Sequence, residues 1–261
     1  MLRYFNLFGK LFRYSIITQM QYRGNFFLMI PVHLVWTLQE IVLATALYLY
    51  TDKIYSWTKY EFILILGTYF IVDSLFSSVI LPNLNELSDR IRTGEMDFFI
   101  LKPIDTQFLV FTYQVDLGLV FAFGIGVFFI LYSLAHLHLP LDLLTVLLYM
   151  LLTANGVIIF ASITFIISSF AFKTIKIDYT HNIFLTFAQF ARKPFDIYPA
   201  ILRYIMIFVI PLGFIAYIPA GFLLGKIRYL WSLSFVITPL LFLISRLVWN
   251  QLIKNYGSSS S

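Results

Sequence analysis

Two carboxylates stand where a carboxylate is costly to hold. Glu40 interrupts a long apolar stretch from Gly24 to Thr51, and Asp73 interrupts another from Phe62 to Leu81. Near the centre of a membrane helix an acidic side chain costs about 2.5–3.5 kcal/mol on insertion scales, so neither should face lipid. Two readings fit. The pair forms a cation or proton site on a transport path, or each is protonated or hydrogen-bonded to neighbours such as Gln39, Thr68 and Ser74 as glue between helices. Other chemistry is sparse. The histidines, at positions 33, 136, 138 and 181, lack H-E-x-x-H spacing, and His136-x-His138 beside Pro140 reads as an interfacial turn rather than a metal pair. No G-x-S-x-G elbow is present. The phosphate-cradling pattern G-x-x-x-x-G-K-[ST] is also missing, since Gly9-Lys10 is followed by Leu11 and Gly225-Lys226 by Ile227. We therefore expect no catalytic residue and no metal site in this chain.

The elements that must position these residues are membrane helices. Of 261 residues, 60% are hydrophobic and only 12% charged, against about 25% charged in soluble domains, which excludes an ordinary soluble fold. The excess of 18 Lys and Arg over 13 Asp and Glu is spread along the chain, whereas a nucleic-acid binder concentrates it in a patch, so no nucleic acid is expected. A spanning helix needs about 20 apolar residues, and six stretches qualify: 24–51, 62–81, 117–135, 143–172, 204–225 and 229–247. Residues 1–23 read as an interfacial helix, with Phe5, Phe8, Phe12 and Ile16 opposite Arg3, Asn6, Lys10 and Arg13. Its basic face should be cytoplasmic, as should the loop 82–107 with Arg90, Arg92 and Lys102. Residues 24–256 then form one membrane domain in contact with lipid, and 257–261 a linker-like tail outside the fold. Gly221-x-x-x-Gly225 reads as close helix packing.

The loop holds the most specific pattern, Asn83-Leu-Asn-Glu-Leu-Ser-Asp-Arg-Ile-Arg-Thr-Gly-Glu-Met-Asp-Phe-Phe-Ile-Leu-Lys-Pro103. Leu84, Leu87 and Ile91 recur at helical spacing and Gly94 stops the helix near Thr93, with Glu86, Asp89, Arg90 and Arg92 on the other face. Such a helix suits docking into a groove on a soluble partner. It equally suits a solvated connector.

This loop, with Arg192-x-Pro194-x-Asp196-Ile-Tyr198-Pro199, Phe208-Val-Ile-Pro211, Tyr217-x-Pro219-Ala and Leu223-Leu-Gly225, resembles permease subunits of the type-2 ABC exporter family. The likeness runs over essentially the whole chain and is nearest to a branch grouped with daunorubicin-type and viologen-type exporters. It implies an all-α membrane protein of six spans with both termini cytoplasmic, in a bacterial inner membrane. It implies pairing with a second copy or a sibling permease, and binding of a separate ATPase subunit that holds ATP and magnesium, so that no cofactor is held here. The coupling residues would be Glu86, Asp89, Arg90, Arg92, Gly94, Glu95 and Asp97, with Glu40 and Asp73 on the path of an amphipathic or lipid-like cargo. By the same likeness residues 198–224 would re-enter the outer leaflet before the last span, marked by Pro194, Asp196, Tyr198, Pro199, Arg203, Pro211 and Pro219. Charge counting favours instead a simple crossing at 204–225, whereas the prolines disfavour a continuous helix there. Two rival functions remain open: a membrane-embedded lipid-modifying enzyme using Asp73, His33 or His181, and a proton-coupled transporter using Glu40 and Asp73.

Overall fold

In hydrocarbon every backbone amide must find its partner within the protein, so long apolar stretches fold as helices. The computed structural model describes residues 2–21, 23–118, 120–173 and 178–257. The side chains of His33 and His181 and the tail residues 258–261 lie outside what is described. The chain runs α1 (Leu2–Gln21), α2 (Arg23–Ala46), a hairpin of β1 (Lys53–Ile54) and β2 (Trp57–Thr58), α3 (Lys59–Val79), α4 (Leu81–Thr93), α5 (Met96–Ile100), α6 (Thr106–Thr112), α7 (Val120–Leu137), α8 (Leu143–Ser169), α9 (Asp178–Ala188), α10 (Ala200–Tyr204), α11 (Tyr217–Leu223) and α12 (Ser234–Leu252). Among the described residues three helical stretches, Lys59–Thr93, Leu143–Phe172 and Leu230–Leu252, are long and apolar enough to cross a membrane. The 24 residues of α2 reach ~36 Å at ~1.5 Å each. The all-α membrane fold expected from the sequence is present.

Lipid gives apolar helices no hydrophobic reason to associate, so close backbone approach must hold them. At the crossing of α3 and α7, a Cβ on Gly67 would sit 2.9 Å from the Gly126 carbonyl, and a Cβ on Gly126 equally close to the Gly67 carbonyl. Only two glycines let these backbones touch. Against α8, α3 places Thr68 Oγ1 2.7 Å from the Tyr149 hydroxyl and stacks Phe76 on Phe160 at 4.0 Å. By contrast, Gly221-x-x-x-Gly225 is a helix ending and not an interhelical contact. Gly225 has φ +67, the Lys226 N–H returns to the Gly221 carbonyl and the Gly225 N–H to that of Phe222, and Ile227 covers Gly221. These bonds close a helix C-terminus by a left-handed residue.

Helix α3 runs into α4 through Pro82. Proline has no N–H to give the Ser78 carbonyl, and the Asp116 N–H takes that carbonyl at 2.7 Å instead. The Ser78 carbonyl is therefore not left unpaired where the helices meet, and α3 with α4 runs as one 35-residue helical stretch, ~52 Å long. At one end of the bundle α1 lies across the start of α7. The Ser15 hydroxyl accepts from the Val115 N–H, and Gln19 accepts from the Leu117 N–H and donates to the Val115 carbonyl. The expected two-faced helix thus has three faces. Tyr4, Leu7, Leu11, Ser15 and Gln19 meet the protein, Phe5 and Phe12 stay exposed, and Arg3, Lys10 and Arg13 stay exposed beside them.

At the opposite end the β1–β2 hairpin is a meeting point. The Trp57 indole N–H donates to Asp196 at 2.7 Å. Lys226 pairs with Glu61 at 2.7 Å and donates to the Ser56 carbonyl, with its ammonium over the Trp57 ring. Asp196 and Lys226 therefore both reach one corner of the fold. The stretch between them is broken into α10, a π turn Ile205–Val209, a 3-10 turn Leu212–Phe214 and α11. The 204–225 stretch that hydropathy marks as a crossing is not a single helix.

Candidate functional site

The inner face of α4 carries two polar side chains among its leucines. Asn83 is fully buried; its amide donates to the carbonyls of Val79, Phe111 and Gln114 and accepts the Gln114 N–H. Arg90 is 4% exposed. Its guanidinium pairs with Glu86 and lies over the rings of Phe99 and Tyr113, 5.1 and 5.4 Å from their centroids. Arg90 thus departs from the expected outward, docking position. Counted by helical spacing it shares the face of Asn83 and Leu87, and aromatic rings with a carboxylate make that face habitable for a cation. Glu86, half exposed, also takes the Gln114 amide. Asp89 and Arg92 do lie outside, paired with each other at 2.9 Å. Gly94 adopts φ 81, which stops α4, Glu95 is exposed beyond it, and Asp97 is partly buried in the first turn of α5. Beyond Gly94 the surface turns apolar, with Phe98 70% and Leu101 82% exposed, next to the exposed Lys102. Where the loop rejoins the bundle, Asp105 caps α6 through the Phe108 N–H and forms a two-pronged pair with Arg246 of α12. Burial alone would raise the Asp105 carboxyl; the Arg246 hydrogen bonds, the Phe108 N–H and the Arg246 charge outweigh it and hold it below the usual carboxylate range.

The two apolar-stretch carboxylates are brought together by a residue from a third element. Arg192, at the end of the 3-10 turn that follows α9, donates to Glu40 of α2 at 2.5 Å. Its guanidinium also lies over the Tyr69 ring of α3, 5.1 Å from the centroid. The Tyr69 hydroxyl donates to Asp73 at 3.3 Å. A chain Glu40, Arg192, Tyr69, Asp73 therefore links three elements, with two carboxylates around one guanidinium. Thr68 and Ser74, expected as partners, bond instead to the Leu64 carbonyl with Tyr149, and to the Ile71 carbonyl. Glu40 and Arg192 are partly exposed on the flank of the bundle. The cluster can hold a cation in competition with Arg192, and it can lock α2 and α3 to the α9 segment. Among the described residues no group of acidic and histidine side chains could hold a metal ion.

A comparison with known families supplies the deciding observation: the model of the ABC-2 family transporter protein matches residues 34–260. The chain belongs to the ABC-2 transporter family. No curated relative and no solved structure matches it. This ABC-2 permease is thus a multi-pass membrane component of a transporter and carries the loop pattern and proline-broken segment through which it resembles its family. In the permease, Asp196 is the hub of that segment, accepting from Trp57, from the Tyr217 hydroxyl at 3.1 Å and from Arg203 at 3.0 Å. Pro194, Pro199 and Pro211 each stand immediately before a short helical turn, and Pro219 lies buried inside α11. The Tyr198 hydroxyl donates to the Phe190 carbonyl. Sequence reading missed Asn83, Trp57, Arg192 as the partner of Glu40, and the Gly67–Gly126 crossing. Only Asn83 had a local signal, its place on the apolar face of α4.

Proposed function

We propose that the permease forms the translocation path of an ATP-driven exporter and is moved by a separate ATPase subunit that binds ATP and magnesium below the α4–α6 loop. The end bearing α1 and that loop is read as cytoplasmic, because its exposed cations follow the positive-inside bias. The observation that carries this reading is the outward face of the loop. Asn83 and Arg90 anchor the loop from within and the Lys102 ammonium folds back over the Phe99 and Tyr113 rings, while Phe98, Leu101 and the Asp89–Arg92 pair point away from the bundle. A loop braced inside and apolar outside fits a partner groove better than a solvated connector.

Because α4 continues α3 in one helical stretch, with the Ser78 carbonyl taken by the Asp116 N–H at Pro82, a pull on the loop reaches Tyr69 and Asp73. Nucleotide-driven closure of two ATPase subunits would thus move the carboxylate cluster between paired permeases and alternate its access. In this reading residues 198–224 re-enter from the outer side, supported by the shared corner of Asp196 and Lys226. Glu40 and Asp73, with aromatic walls, suit an amphipathic or lipid-like cargo whose cation displaces Arg192. Magnitudes set where docking energy resides. Burying a Phe or Leu side chain is worth about 1.5–3 kcal/mol, an exposed ion pair about 0–1. The test is purification of the tagged chain in mild detergent. An ATPase should accompany the wild type and be lost at least ~100-fold from Phe98→Ala with Leu101→Ala, a loss of about 3 kcal/mol or more. Retention of the ATPase by the double variant, or its absence from the wild type, would remove the docking assignment.

A further inference from the structure

Beneath α1 lies a cavity of about 400 Å³, within the size range of small-molecule sites. Its walls are the rings of Phe108, Phe111, Phe165 and Phe242, and the Asp105–Arg246 pair lies at its edge. Of the five N–H groups on Arg246, two are given to Asp105 and one to the Gln107 side-chain Oε1 at 2.9 Å. Two remain. Gln107 also lines the cavity, and among the described residues its buried Nε2 has no hydrogen-bond partner. The opposite charges at the edge cancel, so the unmet demand is for a neutral hydrogen-bond acceptor, not for an ion. The exposed members of the wall show where such a group comes from. Phe242 is 49% exposed and Tyr4 39%. Phe242 stands on the exposed flank of α12 beside Leu240 and Leu243, which is a lipid-facing surface in a spanning helix. Tyr4 belongs to α1, whose amphipathic pattern is that of a helix at the headgroup level.

We infer that this cavity is a binding site for a single membrane amphiphile, entering sideways from the leaflet on the α1 side, with an uncharged ester, amide or hydroxyl head and an apolar chain. The chain lies among the four phenylalanine rings, and the head accepts from Arg246 and Gln107. The site is separate from the Glu40–Asp73 cluster and requires no ATPase. Its occupancy would brace α1, α6 and α12 against one another, the elements through which the loop joins the bundle.

The full chain is reconstituted in phosphatidylcholine vesicles containing a monoacylglycerol with a diazirine on its acyl chain, illuminated, and mapped by peptide mass spectrometry. We expect adducts on 108–112 and 242–246. Thr112→Trp, which fills the cavity, should reduce these at least tenfold while adducts on the lipid-facing residues Leu151 and Val236 stay constant. Ile80→Phe is the second filler if the first does not express. Excess unlabelled monoacylglycerol should compete and excess palmitate should compete poorly. Adducts in the cavity unchanged by either filler, no adducts there at all, or stronger competition by palmitate would overturn the proposal. Because the readout uses no nucleotide, it fails or succeeds independently of the ATPase assignment.

Discussion

At the end of the bundle that carries α4 to α6, Asn83 and Arg90 find most of their partners within one stretch, Asn83 to Gln114, which meets α8 and α12 through the Phe111–Phe165 stack and the Asp105–Arg246 pair. At the hairpin end, Trp57 meets Asp196 across 139 residues and Lys226 meets Glu61 across 165. The first is held together largely by its own residues, so it can shift against α8 and α12 as a unit. The second ties α3, the α10–α11 segment and the hairpin into one closure. A coupled machine needs that asymmetry: one end able to be pulled, the other held while the path between them changes.

The largest expected effect tests the held end. Asp196→Ala leaves the buried Trp57 indole and Tyr217 hydroxyl without their acceptor, at about 1–3 kcal/mol each, so global stability should fall by roughly 2–5 kcal/mol. Thermal unfolding in detergent measures this, and a loss below 1 kcal/mol would deny the hairpin end its special role. Arg90→Ala should cost less, roughly 1–3 kcal/mol, since Glu86 can turn to water while two ring contacts are lost. Hydrogen exchange should then quicken within 83–114 and stay unchanged around Trp57. A uniform rise would mean that the loop is not a module.

The pH response sharpens the comparison at the joint between loop and bundle. The Asp105 carboxyl is depressed in the folded protein, so its contribution is fully present above the unfolded value of about 3.9 and is lost as pH falls through its lower folded value. Between about pH 5 and pH 2.5, Asp105→Asn should therefore lose less of its remaining stability than the wild type, as followed by acid unfolding in detergent. The smallest effect belongs to Arg92→Ala. Its pair with Asp89 is exposed, and stability should stay within about 0.5 kcal/mol.

Legibility in the sequence follows contact range. The stretches 24–51, 62–81, 117–135, 143–172 and 229–247 correspond to α2, α3, α7, α8 and α12 because hydropathy is a local property. Gly94 was legible because a helix stop needs one residue. Residue type alone predicts an outside position for Arg90, whereas its register with Asn83 and Leu87 places it inside. Gly67 and Gly126 are 59 positions apart and neither lies in a repeated motif, so nothing local announces that they touch. Arg192 was visible as part of a motif, but its meeting with Glu40 spans 152 residues and only the folded chain reveals it.

The most direct test of the account uses the absence of cysteine from this chain. A single Leu101→Cys variant, expressed with the ATPase subunit proposed to bind it, carries a photoreactive maleimide at that site. We predict cross-linking to the ATPase, protection from an impermeant maleimide added to intact cells, and neither behaviour for Ile201→Cys at the hairpin end. Labelling of Leu101→Cys from outside the cell, or cross-linking of the ATPase at Ile201→Cys instead, would contradict the account.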